Sequence, residues 1–122
     1  MSDAFPALLI QRLDAAKEVD METTSPEGKV HRVPIWIVIV DDVPYVRSVR
    51  GKQGRWYREL SARPGAVHAG ARRIPVRATR VTAVDDIDAV SQALWKKYTK
   101  NSSLFAMLRM RTLDTTMRLD PA

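Results

Sequence analysis

The chain has 122 residues and a formal charge of +6, and its apolar content of 45% is ordinary for a globular protein. This length suits one domain over residues 1–122 with a core of its own. The absence of cysteine excludes disulfides and cysteine metal sites, and two histidines, His31 and His68, argue against a histidine zinc site. Without a membrane-length apolar run or a secretory signal, we expect no membrane span and a cytoplasmic location.

The first predicted elements are a helix and a strand. Apolar residues near helical spacing predict an amphipathic helix over Ala4–Ala16, with Ser2 or Asp3 as its cap. Alternating apolar residues predict a half-buried strand from Glu18 to Thr23. The turn signal of residues 25–28, Ser-Pro-Glu-Gly, joins this strand to the next one as a hairpin.

The stretch from residue 30 to residue 56 is the part around which we expect the fold to be organised. Its apolar run from Val33 to Val40 is rich in β-branched residues and lacks clean alternation, which is typical of a barrel strand covered on both faces. Asp41 and Asp42 mark a turn into a second strand, Val43 to Val49.

A basic loop follows the second strand and is the predicted anion site. Ser48 and Arg50 are two residues apart and would share one strand face. The flexible loop of residues 51–54, Gly-Lys-Gln-Gly, then leads into Arg55 and Trp56. A hydroxyl, cations and backbone amides that converge in this way favour a phosphate ligand. The alternative is an ordinary solvated hairpin end.

The second half of the chain adds helices and three more strands. We predict helices over Trp56–Arg63 and Ile87–Tyr98, the latter opened by Asp85 and Asp86. The segment Leu104–Met110 is ambiguous between helix and strand. The predicted strands are Ala66–Ala69, Ile74–Val84 and Thr115–Leu119. About six antiparallel strands with peripheral helices predict a mainly β fold built as a small barrel.

Five fragments of the sequence carry a family resemblance. They are PIWIV at residues 34–38, YVRSVRG at 45–51, WYR at 56–58, the pair Ile87-Asp88 followed by Lys97-Tyr98, and TTMRLDP at 115–121. The second, third and last fragments are the most specific. Together they resemble the uncharacterised bacterial family called domain of unknown function 2255, over nearly the whole chain from Leu8 to Pro121. That family is similar to the FMN-binding split barrels, which include pyridoxamine phosphate oxidases and deazaflavin-dependent reductases. The resemblance implies a split β-barrel and a homodimer with its active site between the subunits.

By position, the resemblance also implies a binding site for FMN or a deazaflavin. One group of residues would line the cofactor ring, a second group would hold its phosphate, and Trp56 would close one side. The ring group is His31, Arg32, Val33 and Pro34, and the phosphate group is Ser48, Arg50, Gly51, Lys52 and Arg55. The loop departs from the full phosphate signature of the reductases. His31 is also a candidate proton donor, because imidazole titrates near neutral pH, or it is an exposed strand residue.

Three functions remain open at this point. The first is a flavin- or deazaflavin-binding oxidoreductase that acts on a small organic molecule, with the cofactor supplying the hydride chemistry. The second is a cofactor-free barrel that binds, isomerises or cyclises a small molecule in the same cavity. The third and weaker one is a basic nucleic-acid-binding module, which the scattered basic residues and the absence of a recognised motif disfavour.

Overall fold

The computed structural model describes residues 4–122, so the predicted caps Ser2 and Asp3 lie outside the described residues. Within that range the chain forms seven strands and five α-helices. In chain order they are α1 Ala7–Ala15, β1 Val19–Thr24, β2 Val30–Ile35, β3 Val38–Val40, β4 Val43–Val46, α2 Arg55–Ala62, β5 Gly65–Ala69, β6 Arg72–Arg80, α3 Val84–Lys97, α4 Leu104–Met107, α5 Met110–Leu113 and β7 Met117–Pro121.

The seven strands form one antiparallel sheet in the order β2-β1-β5-β6-β7-β4-β3. The strands at its two edges, β2 and β3, are consecutive in the chain and are separated only by Trp36 and Ile37. The sheet therefore curls, so that one continuous segment of chain supplies both edges. This arrangement confirms the predicted split barrel, with one strand more than the expected number of about six.

The extra strand arises because the predicted strand from Val33 to Val40 divides at Trp36 and Ile37. Before that point the segment pairs with β1, and after it the segment pairs with β4. At the division, two side chains at the C-terminal end of α3 bind the Ile37 backbone in place of a neighbouring strand. The Ile37 N–H donates to the hydroxyl of Tyr98, the residue after the helix, at 3.3 Å, and Lys97 Nζ donates to the Ile37 carbonyl at 2.7 Å. The prediction of one long strand is therefore wrong in this detail.

The core lies inside the curled sheet. Strand β1 alternates as predicted, with Val19 and Met21 buried in the same apolar cluster as Leu9 and Leu13 of α1. A second buried cluster lies between α3 and the β3–β4 hairpin. It includes Val90 and Leu94 on α3 and Tyr98, the residue that follows the helix. These two clusters place helices on the outside of the barrel, as the apolar periodicity predicted.

Several predicted boundaries shift. Helix α3 begins at Val84, so Asp85 and Asp86 lie in its first turn, where their charges favour the positive end of the helix dipole. The ambiguous segment Leu104–Met110 contains α4 and the start of α5. The last strand begins at Met117 because the hydroxyls of Thr115 and Thr116 donate to carbonyls three residues earlier and hold a turn there.

Candidate functional site

The predicted two-residue turn at Asp41 and Asp42 is present, and it forms the tight end of the β3–β4 hairpin. Both residues have positive φ, 50° and 65°, the backbone conformation of a type I′ turn. Strand β4 then ends at Val46, three residues earlier than predicted. Ser48 and Arg50 consequently lie beyond the strand, and the prediction that they share a strand face is wrong.

The loop after β4 is a tight turn stabilised by hydrogen bonds. Gly51 begins a 3-10 turn at φ +70°, and its N–H donates to the Ser48 carbonyl at 2.9 Å. The buried Ser48 hydroxyl donates to the Gly51 carbonyl at 2.8 Å, and the Ser48 N–H donates to Thr115 Oγ1 at 3.0 Å. A Cβ on Gly54 would lie 2.5 Å from Ser48 Oγ, so the turn requires glycine there. The loop predicted to be flexible is therefore closely packed.

This turn and β2 enclose a cleft with a volume of about 420 Å³. That size lies within the range of small-molecule sites, roughly 300–1,000 Å³. Its walls come from three elements that are distant in sequence: β2, the turn after β4 and the start of α2. The lining residues are Val33, Pro34, Ser48, Val49, Arg50, Gly54, Arg55 and Trp56.

The cleft offers positive charge to a ligand. Arg50 and Arg55 are exposed, and within residues 4–122 neither guanidinium forms a hydrogen bond or an ion pair. Helix α2 begins at Arg55, so the N–H groups of its first turn have no intrahelical acceptor and the positive end of its dipole lies at the cleft. Two uncommitted guanidiniums beside a helix N-terminus are a suitable arrangement for binding a phosphate or a carboxylate.

Six of the ten residues predicted to bind a cofactor meet at this cleft, and four do not line it. The four are His31, Arg32, Gly51 and Lys52. Arg32 donates to Asp20 at 3.0 Å on the exposed strand face, and Lys52 Nζ lies 3.8 Å from Asp114. Gly51 is buried within the turn, and His31 contacts Glu59 on another side of α2. Ser48 lines the cleft, but its hydroxyl proton is already donated to Gly51.

A second cavity of about 310 Å³ adjoins the cleft and shares Pro34, Val49 and Trp56 with it. Its other lining residues come from the positions next to the start of β1, the end of β2 and the end of β4, and from the segment around α4. They are Glu18, Ile35, Trp36, Arg47, Asn101, Ser103 and Met107. The shared residues place the two cavities side by side, with Trp56 lining both.

Arg47, which the sequence analysis did not single out, is a buried cation at the wall of this second cavity. It is 1% exposed and donates to Thr116 Oγ1 at 2.8 Å, the Ile87 carbonyl at 2.8 Å and the Met107 carbonyl at 3.2 Å. Burial lowers its pKa to about 10, against an opposing effect of Asp88. The sequence around Arg47 does not predict this burial, because the oxygens that accept its hydrogen bonds lie far along the chain, in α3, α4 and the turn before β7.

The family is decided by a sequence match over most of the chain. The family model described as "Uncharacterized protein conserved in bacteria (DUF2255)" matches residues 9–119. The chain belongs to this family. A comparison with curated proteins finds no match.

Solved structures give this DUF2255 chain its fold relatives. It is similar to Campylobacter jejuni ChuZ, with 14% identity and a TM-score of 0.67 over 93% of this chain and 50% of that one, so it spans about half the length of ChuZ. It is similar to an F420-H2 dependent reductase, with 17% identity and a TM-score of 0.60 over 85% and 93%. It is also similar to HutZ, described as the heme storage protein of Vibrio cholerae, with 12% identity and a TM-score of 0.61 over 98% and 91%. At these identities the likeness establishes the split-barrel fold.

The described part of the chain, residues 4–122, contains no helix that is both long enough and apolar enough to cross a membrane. The same residues contain no cluster of three or more histidine and acidic side chains arranged to bind a metal ion.

Proposed function

We propose that this DUF2255 protein binds the phosphate-bearing part of a flavin or deazaflavin at Arg50 and Arg55 and acts as an oxidoreductase on a small organic molecule. The observation that carries the proposal is the pair of uncommitted guanidiniums beside the N-terminus of α2, at the mouth of a cleft walled by Pro34 and Trp56. The similarity to an F420-H2 dependent reductase supports the choice of ligand class.

The residues that line the cleft fit such a cofactor, but they are a smaller set than the sequence predicted. Arg50, Arg55 and the first N–H groups of α2 would bind the phosphate. Pro34 and Trp56 line both cavities, and they would bound the ring system. Ser48 and Gly51 would hold the turn in shape without touching the ligand. Lys52 forms an ion pair with Asp114, and Arg32 forms one with Asp20.

The cofactor would supply the hydride chemistry when bound, and the chain would supply binding and orientation. The cavity beyond Trp56 would receive the substrate. Trp36 and Met107 give that cavity an apolar wall, while Asn101 and Ser103 offer polar groups at its edge. A small organic molecule with an apolar body and a polar group matches this lining.

The proposal is tested by titrating the protein with FMN and with a deazaflavin, and following absorbance and fluorescence. Arg50→Ala and Arg55→Ala should each weaken binding by about 1.5–2 kcal/mol, or about tenfold to thirtyfold, since each guanidinium is solvent-exposed and loses one charged contact. Arg72→Ala is the matched control: Arg72 is an exposed arginine on β6 that does not line the cleft, and its variant should bind like the wild type.

Binding that is unchanged in both cleft variants would exclude this cleft as the cofactor site. If the wild-type protein binds neither cofactor, the cofactor-free barrel is favoured instead. A site for a substrate alone would then be sought in the same two cavities.

A further inference from the structure

A histidine–carboxylate pair lies on the other side of α2, away from the cofactor cleft. Thr23 and His31 are opposite each other in the β1–β2 ladder, so their side chains share one face of the sheet. Helix α2 packs over this face and inserts Glu59 between them. Thr23 Oγ1 donates to Glu59 Oε1 at 2.7 Å, and His31 Nδ1 lies 3.1 Å from the same oxygen. The Glu59 and His31 side chains are 8% and 18% exposed.

Glu59 is held as a carboxylate. Burial raises its pKa, but the hydrogen bonds from Thr23 and His31, together with the positive charge of Arg55, outweigh burial, and the net pKa lies below the usual range. A carboxylate in this position accepts the Nδ1 proton of His31 and thereby fixes the orientation of the ring. Within residues 4–122 the other ring nitrogen, Nε2, has no hydrogen-bond partner.

His31 lines a cavity of about 370 Å³ that contains three arginines. Arg55, Arg58, Glu59 and Ala62 follow the spacing of one helical face on α2, which places both arginines on the side of the cavity. Arg63, directly after α2, also lines the cavity and donates to the Thr24 carbonyl at the end of β1. Arg58 is exposed, and the structure of residues 4–122 gives its guanidinium no hydrogen bond or ion pair.

We propose that this cavity is a second binding site, for a small oxyanion of the carboxylate or phosphate-monoester class, and that His31 takes up a proton when the anion binds. Arg55 and Arg58 would bind the oxyanion, and His31 Nε2 would donate to it. Since His31 already donates its Nδ1 proton to Glu59, the second proton must come from solvent and go to Nε2. The charges around the imidazole are those of Arg55, Arg58, Arg63, Glu59 and Glu27.

This site does not depend on the proposed cofactor. The two cavities share Arg55, but Arg50 lines only the cofactor cleft and Arg58 lines only this one. Variants at these two positions therefore separate the sites. An anion that binds here is affected by loss of Arg58 and not by loss of Arg50, and the reverse holds for a cofactor phosphate in the cleft.

The experiment is a titration of the full chain with inorganic phosphate and, separately, with acetate. Calorimetry in two buffers of different ionisation enthalpy measures the protons taken up, and the ring nitrogen signals of His31 in NMR report where the proton goes. We expect Arg58→Gln to weaken binding about tenfold. Arg72→Gln, at an exposed position on β6 that lines neither cavity, is the control and should bind like the wild type. In Arg50→Gln the anion should still shift the His31 signals as it does in the wild type, and His31→Gln should abolish the proton uptake.

The relative affinity for phosphate and for acetate identifies the chemical class of the natural ligand. Tighter binding of phosphate indicates a phosphate monoester, and tighter binding of acetate indicates a carboxylate. Failure of both anions to move the His31 signals overturns the proposal. Equal affinity in Arg58→Gln and the wild type also overturns it, and because Arg58 is exposed on α2, that variant is expected to fold normally.

Discussion

The turn that shapes the cofactor cleft depends on a contact between two residues six positions apart. A Cβ at Gly54 would lie 2.5 Å from Ser48 Oγ, while its next neighbours, the Gly51 carbonyl oxygen and Arg50 Cβ, are at 3.4 and 3.7 Å. The Ser48 hydroxyl is buried and donates to the Gly51 carbonyl. Gly54→Ala must therefore displace this hydroxyl from its acceptor. The backbone at position 54 has φ −60°, which any residue adopts, so the close contact is the only reason for glycine there.

The expected costs follow from this geometry. Gly54→Ala should lower the free energy of unfolding by about 1–3 kcal/mol, since it combines a close contact with a lost buried hydrogen bond. Ser48→Ala alone should cost about 0.5–1.5 kcal/mol for the hydrogen bond. In the double variant the obstructing oxygen is gone, so its stability should equal that of Ser48→Ala. The coupling between the two sites should then be about 1 kcal/mol or more.

Urea denaturation followed by tryptophan fluorescence measures these differences, provided that the slope with urea is the same in all variants. Gly65→Ala is the control, because its Cβ would meet the Glu22 carbonyl oxygen, a backbone atom that Ser48→Ala does not remove. Gly65→Ala should lower the free energy of unfolding by the same amount whether or not Ser48 is also changed to alanine. Additive costs for Gly54→Ala and Ser48→Ala would refute the contact that this reasoning assigns to the turn.

Three further predictions concern other parts of the molecule. Hydrogen bonds from Arg73 and, to a smaller extent, from His68 lower the pKa of Glu22 to about 2. Glu22→Gln should therefore lower the free energy of unfolding at pH 7, and its difference from the wild type should shrink as the pH falls from about 4.5 toward 2. Equal differences in the free energy of unfolding at pH 7 and pH 3 would contradict this. Arg47→Ala removes a charged donor from three buried oxygens, of which, within residues 4–122, only the Met107 carbonyl has a second side-chain donor, the Thr112 hydroxyl. The loss should lower the free energy of unfolding by about 3 kcal/mol or more, and a loss comparable to that of an exposed arginine would refute this. The exposed apolar residues, among them Trp95 at 50% exposure, lead us to expect a homodimer. Light scattering at micromolar concentration should give twice the chain mass of 13.8 kDa, and a mass of 13.8 kDa would exclude the dimer.

The sequence predicted the class of fold well because its signals were local. Alternation in β1, the apolar stripe of α3 and the Asp41-Asp42 turn each depend on neighbouring residues, and each is present in the structure. The division of the strand at Trp36 and Ile37 could not be read in this way. It depends on Lys97 and Tyr98, which approach from about 60 residues further along the chain.

The candidate site shows the same limit. The sequence grouped Arg50, Arg55 and Trp56 correctly because they lie on one short segment, and the family resemblance added Val33 and Pro34 across the barrel. It placed Ser48 on a strand face because period-two alternation was extended past Val46, where the strand ends. The pair of His31 and Glu59 gave no sequence signal, since it joins a strand to a helix 28 residues away.

The most direct test of the central claim is a crystal structure of the protein grown or soaked with FMN or a deazaflavin. Our account predicts phosphate density within hydrogen-bond distance of the Arg50 and Arg55 guanidiniums, with the ring system between Pro34 and Trp56. Phosphate density elsewhere on the protein, or an empty cleft at a cofactor concentration that saturates binding in solution, would contradict it.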